Sequence, residues 1–534
     1  MRITITTLGA VGVLVGAAHA QTTAPDRFKH FDKNGDGKLS QDEFPYPYFY
    51  KQHDKDGDGL LSPEEAAQIK PLGKTAPELP GAPPTPITPA TAADFKPRPH
   101  GEEATKASLN PEVLAKLDIA MQQAVANKEV SGVIGLIHHN GERGYFEAFG
   151  WQDIEAQKPL SKDALFRLQS MSKPVVSACA MALFDAGLFT LDEPISKHCP
   201  EWAEPKVKEG GAVVPAKAAI TPRMLMSHSS GLGYGGGQAA AAMAYQAMMK
   251  PGATLKEFSE AVAKEPLMFQ PGTNYNYGMG LDILGRYLEA ITGQPLDVIL
   301  RERLFGPLKM TDTDFHVPVA NVGRLCQIYG QPSPGVLVPG NDLANVTTKP
   351  TLCLGGHGLF GTIGDYERLC LMILNRGELD GVRVLKPETV DLIFENHLKH
   401  PTMKYGLGGI VNGAGSYGWG GADGTQFVVD RSKRTFTLFM VQTQHYKAPT
   451  YPAFLALANE ACGLTAPGAM TATPGGTSTV GGMSSPYAGL LKQRDLNGDG
   501  KLGSDEVPAA LLQRLDSNQD GFVKVEELTA LGRK

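Results

Sequence analysis

The hydrophobic pattern is strand-like from Val130 to His138 and again from Gly144 to Gly150, and Asn140-Gly141 lies between the two runs. Asn-Gly suits a two-residue type I′ turn between two such runs, so this stretch predicts a β-hairpin. A second hairpin is predicted from Gln426–Val429 and Thr435–Gln442 around a charged turn, followed by an apolar helix from about Pro452 to Cys462. Between the hairpins the spacing is mostly that of helices and loops. Strands at both ends with helices between them predict an α+β domain over residues 109–464. Its single antiparallel sheet would be closed by the two ends of the domain and would carry a helical insertion.

Two stretches lack any such period. Residues 71–108 are rich in Pro, Ala and Thr, with Pro80, Pro83, Pro84, Pro86, Pro89, Pro97 and Pro99, and read as a semi-rigid spacer. Residues 465–485 form a Gly/Ser/Thr-rich, more flexible linker. Small modules at 21–70 and 486–534 are thereby set apart from the central domain. Residues 1–20 read as a secretory signal: Arg2, an apolar run from Leu8 to Ala18, and the small-x-small site Ala18-His19-Ala20. The expected location is periplasmic or extracellular. No later apolar run approaches the roughly 20 residues that span a bilayer.

The two end modules resemble each other. Loops begin at Asp32, Asp54, Asp495 and Asp516, and each runs twelve residues to a Glu. Side-chain oxygens stand at positions 1, 3 and 5: Asp32, Asn34 and Asp36; Asp54, Asp56 and Asp58; Asp495, Asn497 and Asp499; Asp516, Asn518 and Asp520. Position 7 offers a backbone carbonyl (Lys38, Leu60, Lys501, Phe522), and position 9 a hydroxyl in Ser40 and Ser62. Glu43, Glu65, Glu506 and Glu527 close the shell at position 12, behind a sharp turn at Gly in position 6. Hard oxygen ligands in this order are those of an EF-hand, so Ca2+ is the expected ion. Leu39, Leu61, Leu502 and Val523 at position 8 would pair the loops through a short strand. The loops of a pair start close together, so the modules resemble compact bacterial EF-hand pairs; a dockerin-like attachment module is the alternative.

The chain of 534 residues carries a net charge of −6, is 42% hydrophobic and 20% charged. Those are the values of a globular protein, and no basic stripe points to nucleic acid. Six cysteines are irregularly spaced, and the sequence does not decide between disulfides and buried thiols.

Candidate chemistry centres on Ser170-Met171-Ser172-Lys173. An apolar helical run follows (Val175, Val176, Cys179, Leu183), and Pro174 is tolerated only in a helix's first turn, so Ser170 is placed at a helix N-terminus. Lys173, one turn on, faces the same way and can serve as the base that makes the serine nucleophilic.

The segments FRLQSMSKPVVSA and LFTLDEPISKHCPEW resemble the nucleophile region of class C beta-lactamases, DD-peptidases and family VIII carboxylesterases. ITPRMLMSHSSGL, PGTNYNYGMGLDILG, GGHGLFGTIGDYERL and YGWGGADGTQFVVD follow in that family's order. The resemblance implies a beta-lactamase/transpeptidase-like fold, with Ser170 as nucleophile, Lys173 as base and Tyr277 as proton relay. It places the oxyanion between the N–H groups of Ser170 and Ala422, gives Tyr275 a packing role and makes His228 structural. Two departures shift the expected substrate. Met279 stands where the family's Y-x-N motif has Asn, and Trp419-Gly420-Gly421 stands where lactamases have Lys-Thr-Gly. An apolar indole in place of a cation favours small neutral carboxylic esters over beta-lactams. Beta-lactamase or D-amino-acid peptide hydrolysis is the runner-up, and a non-catalytic, calcium-dependent binding protein the third reading. The expected partners are a small ester and, for the EF-hand modules, a protein or cell surface; catalysis needs no cofactor.

Overall fold

The computed structural model describes residues 95–234, 252–340, 346–412, 415–444 and 446–464, with residues 38, 62, 501–502 and 523–524. The predicted signal, most of the spacer, the second linker and nearly all of the calcium loops lie outside the described residues. Within the C-terminal module, Lys501–Leu502 and Val523–Lys524 pair antiparallel with Leu502 opposite Val523, the loop pairing expected of position 8.

The first long helix of the domain is α1 (Pro111–Ala126), which the strand pattern leaves unmarked. Asn110 caps it, its side chain accepting the Glu112 N–H, and Pro111 occupies the first turn, where its missing donor costs nothing. Strands β1 (Gly132–His139) and β2 (Glu142–Asp153) form the first hairpin, and Asn140 and Gly141 both have positive φ, as the turn requires. Strand β3 (Lys158–Pro159) follows, then the central helix α2 (Ser172–Asp185), α3 (Gly280–Thr292) and α4 (Ile363–Leu374). The domain closes with β4 (Ile410–Val411), β5 (Ser416–Gly420), β6 (Gln426–Asp430), β7 (Thr435–Met440) and α5 (Thr450–Ala461).

These strands make one seven-stranded sheet in the order β4-β5-β6-β7-β1-β2-β3. Strands β1 and β7 run antiparallel, Leu136 facing Leu438, so the two ends of the domain close the sheet as predicted. Strand β1 is buried along its whole length. Ile134 and Leu136 join the core shared with α2, α3 and α4, whereas Val133 and Ile137 face α1 and α5 on the other side. Alternation thus feeds two layers at once. Helix α2 is buried nearly all round, which places the S-x-x-K segment at the centre of the larger core.

The spacer ends earlier than its proline content suggests, because residues 95–108 belong to the domain. Glu102–Lys106 is a short helix burying Ala104, and Ala107 packs beside it. The Arg98 backbone N–H donates to Asp118 Oδ2 at 2.7 Å, and His100 Nε2 lies 2.9 Å from the same oxygen. Tyr145 Oη donates to Oδ1 at 3.0 Å. Pro97 and Pro99 are compatible with this extended docking because the donors come from their neighbours. All six cysteines are free and buried.

Candidate active site

The turn before α2 carries the nucleophile candidate. Gln169–Met171 is a 3₁₀ turn running directly into the helix, so Ser170 stands at its N-terminal end as expected. Gln169 is held at φ +48°, an uncommon conformation for a residue with a side chain, and its Nε2 donates to Asp423 Oδ2 at 2.7 Å. Strain beside a nucleophile persists only where neighbours enforce it, and Asp423 is one such neighbour.

Lys173, 0% exposed, donates from Nζ to Ser170 Oγ at 3.1 Å and to the Gly356 carbonyl at 2.6 Å. Tyr277 Oη hydrogen-bonds Ser170 Oγ at 2.6 Å. The Lys173 Nζ also lies 4.7 Å from the centroid of the Tyr277 ring. Serine and lysine from one sequence block and tyrosine from another therefore meet at one oxygen, each within reach for proton transfer.

Strand β5 supplies the facing wall. The Trp419 ring centroid is 5.3 Å from that of Tyr277 and 5.2 Å from that of Tyr405. Gly420 ends the strand and Gly421 follows it. A side chain at Gly421 would meet Leu168 O at 2.5 Å and Gln169 Cβ at 3.3 Å. Glycine is needed there so that the strand's end can lie against the nucleophile turn, bringing Ala422 into the same neighbourhood.

His228 positions the tyrosine segment. Its backbone carbonyl accepts the Asn276 N–H at 3.0 Å, and its Nδ1 accepts the Gly278 N–H at 3.4 Å. Burial first, then the nearby Lys173 charge, hold the imidazole well below its ordinary pKa, so it is neutral and able to accept. Tyr275 packs on Tyr405, and burial raises its phenol. Met279 is buried at the N-cap position of α3, leaving no amide at that place. The structural role expected of His228 and the packing role expected of Tyr275 match this geometry.

Several residues of the site were given no role by the sequence, although Gly356 and Asp282 lie within the resembling blocks. The Gly356 carbonyl on Lys173 is a backbone group, and Tyr405 and Tyr234 are single aromatics outside any motif. Asp282, in the first turn of α3, accepts the Gly356 N–H at 2.8 Å. It reads in sequence as an ordinary acidic residue at a helix start. The calcium-ligand candidates are not among these residues; only Lys38, Ser62 and Lys501 of that set are described at all, and no fit to an ion follows from them.

The family model described as Beta-lactamase matches residues 117–460, and one described as EF hand matches residues 26–44. Esterase EstB of Burkholderia gladioli is 29% identical over 394 residues, covering 66% of this chain and 98% of the esterase. An uncharacterized protein of Mycobacterium tuberculosis is 32% identical over 345 residues, covering 59% of this chain and 86% of that protein. Among solved structures, EstCE1, described as a hydrolase with promiscuous acyltransferase activity, superposes with a TM-score of 0.57 at 23% identity, covering 65% of this chain and 98% of its own. At that identity the superposition speaks for the fold. With the family match spanning most of the central domain, the chain belongs to the Beta-lactamase family and is a serine hydrolase of beta-lactamase-like fold.

Proposed function

We propose that the protein hydrolyses small neutral carboxylic esters through a Ser170 acyl-enzyme. The observation that carries this reading is the meeting of Tyr277 Oη and Lys173 Nζ on Ser170 Oγ, at 2.6 and 3.1 Å, under the Trp419 ring. In acylation Ser170 Oγ attacks the ester carbonyl and yields its proton to Tyr277, while the backbone N–H groups of Ser170 and Ala422 hold the oxyanion. Collapse returns that proton to the departing alcohol. Water then takes the alcohol's place, and the same groups release the acid. An alcohol in place of water would give acyl transfer instead, a reading favoured by the description of EstCE1.

Trp419 sets the proposed specificity. Its ring offers an apolar wall and no cation for a substrate carboxylate, which favours uncharged esters over penicillins and cephalosporins. The test is a panel of p-nitrophenyl butyrate, a chromogenic cephalosporin and a D-Ala-D-Ala peptide. Ester turnover should exceed the other two by a factor of at least about 10², the order of one well-placed charged contact. Cephalosporin turnover equal to ester turnover contradicts the specificity. We further propose an exported protein whose end modules bind calcium for attachment or stability, with no role in the chemistry. The loop pattern and the match at residues 26–44 support that reading.

A further inference from the structure

Lys173 is a cation candidate that is fully buried. Removing a charge from water is costly unless partners compensate, and the partners of Nζ are the Gly356 carbonyl, Ser170 Oγ and the faces of Tyr277 and Tyr234. A carbonyl and π faces accept hydrogen bonds but donate none, so they suit an ammonium better than a neutral amine. None of them carries a negative charge. The other titratable groups packed around it are His228, His357 and Asp282. Burial holds both imidazoles below their ordinary pKa, and the carboxylate of this set is Asp282.

Asp282 is 1% exposed, and the connection from it to Lys173 runs through one residue. Its Oδ1 accepts the Gly356 N–H at 2.8 Å, and the Gly356 carbonyl accepts from Lys173 Nζ at 2.6 Å. The negative group takes the donor and the positive group takes the acceptor, so both charges fix the same backbone. Only glycine fits: a Cβ at residue 356 would lie 2.7 Å from Asp282 Oδ2 and 2.9 Å from Tyr234 Oη. At Gly355 it would lie 2.6 Å from Leu281 O, so the glycine pair lets this loop seat directly on the start of α3. The first turn of a helix also favours a carboxylate that stays ionised.

We propose that Asp282 is a positioning residue that holds Lys173 in place and in its ammonium form by way of Gly356. Proton acceptance from Ser170 then falls to Tyr277, whose phenolate the ammonium stabilises. The proposal rests on the Ser170 nucleophile but on no particular ester. Its test is therefore the rate at which a fluorophosphonate labels Ser170, forming the Oγ–P bond and releasing fluoride, followed from acid to alkaline pH. Asp282→Asn keeps the shape and the hydrogen bond to Gly356 but removes the charge. It should label at least about tenfold more slowly near neutral pH, and its alkaline limb should move to lower pH, because the ammonium loses its proton more readily without the carboxylate. Asp282→Glu, which keeps the charge, should restore the position of that limb. If the Asn variant does not fold, Gly356→Ala takes its place: the added methyl pushes the carboxylate off Gly356 and should shift the limb the same way. Unchanged rate and limb in a folded Asn or Ala variant overturns the proposal while leaving the nucleophile in place. Failure of the wild-type protein to label at Ser170 overturns the nucleophile reading and this proposal with it.

Discussion

Ser170 Oγ has two hydrogen-bonding side chains, and removing either has its own consequence. Tyr277→Phe deletes the hydroxyl at 2.6 Å and leaves the ring packed against Trp419, so packing survives and the proton path does not. Lys173→Ala removes the charge and leaves a hole in a fully buried position. Each should lower kcat on p-nitrophenyl butyrate by at least about 10²-fold, the range of an acid–base group, with the smaller change in KM for Tyr277→Phe. Steady-state kinetics reads both, and a Tyr277→Phe enzyme within threefold of wild type contradicts the relay. At this scale the sequence was informative wherever a side chain does the work within a motif: Ser170, Lys173, Tyr277 and Trp419 all stand together. It assigned no role to Gly356, whose contribution is a carbonyl, or to Asp282, whose partner Gly356 is 74 residues away, although both lie in recognised blocks.

Elements were legible where burial selects apolar runs beside a clear turn. Strand β1 packs a different core on each face and is apolar over most of its length, and the second hairpin pairs Val429 with Phe436 and Phe427 with Leu438. Strand β5 is different. Gly418 and Gly420 stand among its five residues because β6 and Gln426 crowd them, and a strand selected for close approach shows no hydrophobic alternation. The strand that presents Trp419 was thus hidden, although its residues lay in a recognisable block. Asn110-Pro111 is a sound start signal for helix α1, whose apolar face packs against α5 and the sheet, partners far along the chain that its own sequence does not mark. Proline content misplaced the spacer's end for a different reason: proline reports a lack of helix, not a lack of packing, and Arg98 and His100 dock beside Pro97 and Pro99.

As a whole molecule, the protein is a hydrolase domain whose first and last strands adjoin in one sheet, with candidate calcium modules attached beyond both ends. No EF-hand residue belongs to a catalytic motif, so a fragment of residues 95–464 should keep most of the esterase activity, and chelation should leave the full chain's turnover unchanged. A fragment of residues 109–464 should melt lower, because the buried Asp118 loses the donors at Arg98 and His100. Assays and melting curves of the three proteins, with and without chelator, check both statements; silencing of the full chain by chelator couples calcium to catalysis. The central claim, a covalent intermediate on Ser170, is tested most directly by acid-quenching the protein during turnover of p-nitrophenyl butyrate and mapping the acylated peptide by mass spectrometry. The account predicts a butyryl group on Ser170, absent from Ser170→Ala, which turns over no ester. An unmodified Ser170 under steady acylating conditions together with full turnover by Ser170→Ala would contradict it.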